Sequence, residues 1–129
     1  MLTEKLPLGA KIVGYLFTFG LLFIAGRFLL ASESAEHDFG LIYNQPNNSF
    51  HYIKAVRDLF SGVTIGAFTL LNWRKPLAIV FLTGSLVPLG DMIIVLTSPS
   101  ALASAAWIHG LTALTAWITS YFLLRPKNR

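Results

Sequence analysis

Six ionisable residues stand inside stretches that are otherwise almost wholly apolar: Arg27, Lys54, Arg57, Asp58, Asp91 and His109. Two carboxylates beside cations and an imidazole are the parts needed for acid–base chemistry on water. Asp58 and Asp91 can divide the work, one activating a water and the other protonating a leaving oxygen. Arg57 and Lys54 would stabilise the carboxylates and any oxyanion that develops. His109 would shuttle the proton or orient Asp91. One histidine and two carboxylates are formally a metal triad, but the adjacent cations oppose a divalent ion, so no metal and no cofactor is expected. With no cysteine in the chain, thiol redox chemistry, thiolate metal sites and disulfides are excluded.

The elements that must position these groups are apolar blocks near residues 9–31, 52–73, 76–96 and 101–124, joined after the first by an outer loop over 32–50. Each is about 20 residues, enough to cross ~30 Å of hydrocarbon. Hydrophobic residues make up 54% of the 129 and charged residues only 12%, too few to coat a small soluble domain. The expectation is a single all-α domain, an integral membrane antiparallel four-helix bundle whose solvent is the lipid bilayer. The net charge of +4 does not imply nucleic acid, because its distribution has another explanation. Lys5 and Lys11 precede the first apolar run, Arg74 and Lys75 separate the second and third, and Arg125, Lys127 and Arg129 follow the fourth. The alternate connections hold no Lys or Arg, and 32–50 carries Glu33, Glu36 and Asp38. That is the positive-inside pattern of a cell (inner) membrane protein with both termini cytoplasmic. The first block is longer than a signal-peptide core and carries Arg27, so it reads as a span rather than a cleaved leader.

Placed by helical rise, all six ionisable residues fall in the outer half of the bilayer. Lys54 and Asp58 are one turn apart with Arg57 beside them, above Ser61, Gly62 and Gly66. On the third block Gly84, Pro88 and Asp91 share a face, and Pro88 frees the Gly84 carbonyl. On the fourth, Ala105, His109, Thr112, Ala116 and Thr119 form a small and polar stripe. Gly14, Gly20 and Gly26 offer close-approach positions on the first helix. Ser49 reads as an N-cap and Pro76 as a first-turn proline. Phe39-Gly40-Leu41-Ile42-Tyr43 is apolar enough to dip back over the bundle. A cavity open outward follows, with Phe39, Tyr43, Lys54, Arg27 and Thr112 as substrate-contacting residues.

Each group alone has a plainer explanation. Lys54-Arg57-Asp58 forms a surface ion cluster in many helices, Arg27 can snorkel, Asp91 can pair with Arg57 to lock two helices, and a lone His109 can bond a neighbouring helix. His37 and His51 carry no chemical signal. Their convergence at one depth on three helices favours a site over a set of staples.

The combination Lys54-x-x-Arg57-Asp58-x-x-x-Gly62, then Pro88-x-x-Asp91, then His109-Gly110 resembles a family of small four-helix membrane proteins of bacteria and fungi, catalogued as domain of unknown function 4267. The likeness covers about residues 37–124 and includes Phe39-Gly40. Most of that family has no known activity. Some fungal relatives in polyketide pathways are regarded as membrane epoxide hydrolases, which implies Arg57, Asp58, Asp91 and His109 as the matching positions.

The resulting expectation is an epoxide-hydrolase-like membrane enzyme that adds water to, or opens, a strained bond in a lipophilic small molecule. A small proton-coupled transporter and a non-catalytic binding or assembly protein, including a homo-oligomer, are the alternatives. The transporter is disfavoured by charges gathered on one side rather than at the midplane, and by a first helix whose ionisable residue is Arg27 rather than a carboxylate.

Overall fold

The computed structural model describes residues 5–42, 46–99 and 102–126, and all its regular structure among these is helical. In chain order the helices are α1 (Leu8–Leu30), α2 (Ser32–Phe39), α3 (Ser49–Leu70), α4 (Arg74–Gly84), α5 (Leu86–Thr97) and α6 (Ala103–Leu124). Two stretches, Leu8–Leu30 and Arg74–Thr97, are long and apolar enough to cross a membrane. Only 17% of the apolar window of each is buried within the protein, so neither is the enclosed core helix of a globular domain.

Small residues set the first pairing. On α1, Ala10, Gly14 and Thr18 are buried one turn apart, and α3 answers with Gly62, Ile65 and Thr69. A Cβ on Gly14 would stand 2.2 Å from Thr69 Oγ1, and one on Gly66 would stand 2.9 Å from Thr18 Cγ2. The backbones therefore approach as only glycine allows, and the two helices run antiparallel. The threonine hydroxyls are satisfied within their own helices, Thr18 donating to Gly14 O and Thr69 to Ile65 O, both at 2.8 Å. Gly20 and Gly26 meet nothing within 4 Å, contrary to their expected packing role. They face away from the seam that Gly14 and Thr18 define.

The second pairing is α4–α5 against α6. Ser120 donates to Ala78 O at 2.7 Å, Gly110 lies against Met92, and Arg74 Nε donates to Leu123 O at 2.9 Å. The last bond satisfies an orphan carbonyl at the α6 C-terminus with a cation, where the helix dipole favours one. Leu77, Phe81 and Leu123 pack with Leu6, Ala10 and Ile65 in the main buried cluster, which joins the pairs at this lower end.

Several boundaries differ from those the sequence suggests. The third block is two helices broken at Ser85, because Pro88 cannot donate to the Gly84 carbonyl and its ring crowds that turn. Ser85 Oγ donates to Leu82 O at 2.6 Å across the break. Residues 32–39, read as loop, form α2, ended by Gly40 in the left-handed region at φ 103°. Ser49 is the first residue of α3 rather than its cap, and its N–H is accepted by Asn47 Oδ1 at 3.0 Å. Pro76 is the third residue of α4, still in the first turn where no N–H is required. Lys11 lies in the first turns of α1 rather than before it.

Candidate functional site

At the upper end the two helix pairs separate, and a cavity of about 730 Å³ opens between them. Asp58 reaches it from α3 and Asp91 from α5, with residue exposures of 3% and 9%. The i, i+4 spacing brings Lys54 Nζ to Asp58 Oδ2 at 2.7 Å. Arg57 stands behind the pair, its Nε 3.7 Å from Asp58 Oδ1 and a terminal nitrogen 3.5 Å from Asp91 Oδ2. Arg57 therefore bridges Asp58 on α3 and Asp91 on α5. Arg57 does not line the cavity; Asp58, Asp91, Lys54, His109, Thr112 and Arg27 do.

Asp58 and Asp91 differ in how they are held. Asp58 accepts a short charge-assisted bond from Lys54 and has Arg57 nearby. Asp91 has one longer contact, to Arg57. Lys54 Nζ is itself enclosed, 5.0 Å from the centre of the Phe28 ring and 4.8 Å from that of Phe39.

His109 faces the cavity, yet its Nε2 donates to the Phe39 carbonyl at 2.9 Å, and its ring packs on Phe39 at 4.5 Å. With that nitrogen committed, Nδ1 alone is left for proton exchange. The bond ties α6 to the last residue of α2. Gly40 continues the tie, because Leu102 N donates to Gly40 O at 3.0 Å and Val95 and Ala105 close on its α-carbon. Gly40→Ala should loosen α2 from α5 and α6, since its Cβ would lie 2.7 Å from that of Ala105 and the left-handed φ disfavours a side chain. Faster hydrogen exchange confined to α2 is the expected readout. Tyr43, expected as a substrate contact in the same segment, lies outside the described residues.

Arg27 pairs with Asp38 on α2, which also lines the cavity, rather than with Asp58 or Asp91. Its guanidinium holds the Asp38 carboxyl below the usual carboxylate range. A lowered native value contributes stability above the ordinary titration range and loses it as pH falls through the native value. Acidification below about pH 4 should therefore weaken this one tie of α2 to α1, checked by a modest rise in exchange of the α2 amides.

The polar ties of α2 are the part of the site least visible in the sequence. His51, in the first turn of α3, is buried, stacks on Phe28, and meets Glu36 Oε2 with its Nε2 at 2.6 Å. Glu36 and His51 are 15 positions apart, so no local spacing announces them. Recognising 32–39 as a helix is the missing step, since it would put Glu36 on one face with Ser32 and Ala35. Among the described residues no cluster of three or more histidines, cysteines and carboxylates is arranged to hold a metal ion.

Residues 18–123 match the family model described as Domain of unknown function (DUF4267). The chain belongs to this family. The DUF4267 match takes in α2 through almost all of α6 and so includes Arg57, Asp58, Asp91 and His109. No curated protein and no solved structure matches the chain.

Proposed function

We propose that this DUF4267 protein is a membrane-embedded hydrolase that opens a strained bond, epoxide-like, in a lipophilic small molecule. The observation that carries the reading is the pair of buried aspartates facing one cavity and joined through Arg57. Asp58, paired with Lys54, accepts the proton of a water that attacks carbon. Asp91 delivers a proton to the leaving oxygen as the carbon–oxygen bond breaks. A return transfer from Asp58 to Asp91 through water resets the site. Lys54 and Arg57 keep the two carboxylates in register, and His109 holds Phe39 over the cavity.

The setting that supports this chemistry is a four-helix membrane bundle with α1, α3, α4–α5 and α6 as spans, and both termini cytoplasmic. The outward faces are apolar, with Leu16, Phe19 and Phe23 about two-thirds exposed. Basic residues gather at the lower end, with Lys11, Arg74, Lys75 and Arg125. Because the chain has no cysteine, single cysteines report topology cleanly. Cysteine at Lys75 should be blocked by a membrane-impermeant maleimide only in inverted vesicles, and cysteine at Ser98 only in intact cells. The reverse labelling would invert the proposed orientation.

The enzymatic reading is tested by incubating purified protein with lipophilic epoxides and lactones and looking for the hydrated products. Product that requires both Asp58 and Asp91 supports it, and absence of turnover across the panel would sink it. A structural staple is the second reading, favoured by Arg57 bridging α3 and α5. In that case Asp91→Asn lowers the melting temperature by several degrees and no ligand restores it.

A further inference from the structure

We infer that the cavity selects an uncharged lipophile that carries its polar group at one end and has a body no longer than about 15 Å. This rests on the proposed site but concerns selection, not catalysis. The first observation is charge balance. Among the described residues at the upper end, Arg27 is matched by Asp38, Lys54 by Asp58, and Arg57 by Asp58 and Asp91. Each of these three cations already faces a carboxylate and each of these carboxylates faces a cation, so none of them is left unpaired to receive a charged ligand. A carboxylate or ammonium ligand would bring an unmatched charge into a largely apolar space, where it is costly. A cationic ligand is blocked a second way, because Lys54 already fills the position between the Phe28 and Phe39 rings.

The second observation is polarity along the cavity. Below the aspartates its walls are mostly apolar, the hydroxyls of Ser61, Thr83, Ser85 and Thr112 each donating to a backbone carbonyl about one turn earlier, and its lowest lining residues are Phe17, Phe68 and Phe81. Phe17 and Phe81 meet edge-to-face at 5.0 Å, and the packed Leu77 and Leu123 belong to the same buried cluster. From Asp58 to Phe68 the helix advances about 15 Å, room for roughly twelve extended methylenes. The reacting group of a bound molecule is thereby placed at its end rather than at its middle, and the phenylalanine floor sets the length.

The test uses wild type in lipid nanodiscs and unreactive neutral probes. Octane-1,2-diol, dodecane-1,2-diol and octadecane-1,2-diol are compared with dodecanoate and dodecyltrimethylammonium. Dodecane-1,2-diol should bind at least about tenfold more tightly than either charged compound, a difference of ~1.4 kcal/mol. Octadecane-1,2-diol should bind more weakly than dodecane-1,2-diol, and Phe68→Ala or Phe17→Ala should remove that penalty. Equal binding of the charged compounds, no binding of any diol, or tightest wild-type binding of the octadecane probe would overturn the inference. The last outcome would mark the cavity as a seat for a bilayer acyl chain. Diol selectivity without epoxide turnover would uphold this inference while removing the catalytic reading.

Discussion

Asp91→Asn should lower turnover of a neutral lipophilic epoxide by at least about 100-fold, the scale of a lost general acid or base. The fold should survive. Asp91 makes a single contact of 3.5 Å with Arg57, whose side chain is 43% exposed and keeps its approach to Asp58. The asparagine retains the shape and can still accept from Arg57, so the melting temperature should move little. Asp58→Asn should also abolish turnover, but with a structural cost. It leaves Lys54, 18% exposed at its side chain, without its carboxylate and between two aromatic rings. Removing one partner of a buried pair costs about 3–5 kcal/mol, and the lower part of that range fits a cation that can reach the surface. Asp91→Asn is therefore the clean chemical test, and Asp58→Asn measures chemistry and packing together. Full activity in both variants would remove the aspartates from the mechanism.

Gly14→Ala should destabilise the fold by packing alone, without touching the charged centre. Its new methyl would stand 2.2 Å from Thr69 Oγ1 and 2.9 Å from Thr69 Cγ2, both on a side chain fully buried in the facing helix. Thr69 donates to Ile65 O in this rotamer, so turning it away breaks that bond and moving it as a whole parts the helices. A loss of about 1–3 kcal/mol is expected, the usual cost of overpacking, even after the gain in helix propensity. Gly20→Ala lies on the same helix with nothing within 4 Å and should be neutral or slightly stabilising. Adding Thr69→Ala to Gly14→Ala should recover part of the loss. Equal unfolding midpoints for Gly14→Ala and Gly20→Ala in detergent would contradict the packing described for α1 and α3.

The charged centre was legible because helical geometry is local. Lys54, Arg57 and Asp58 lie within one turn and a half, and Pro88 and Asp91 share a face of α5 with Gly84 just ahead of the break at Ser85. All three of the latter line the cavity, as do His109, Thr112 and Ala116. The break at Ser85 was half visible in Pro88, whose missing N–H marks the strained turn without saying whether the helix bends or stops. Gly62 and Gly66 read as space below the charges but receive Leu21, Leu22 and Thr18 of α1, because a small residue does not announce which neighbour approaches it. Helix α2 escaped notice for a related reason. Its eight residues are polar and short, below the length at which an isolated helix is stable, and it depends on long-range ties through Arg27, His51, His109 and Leu102. The role of His109 changed with it, since the carbonyl it meets exists only once α2 is in place.

Single-turnover hydrolysis in ¹⁸O-labelled water tests the central claim most directly. Excess wild-type protein is mixed with a neutral terminal epoxide, and the oxygen gained by the diol is read by mass spectrometry. Direct attack by a water activated at Asp58 places one solvent oxygen in the product of the first turnover, and Asp91→Asn gives no diol above background. A first-turnover diol whose new oxygen comes from the protein would contradict water activation by Asp58, and no diol at all would contradict the enzyme.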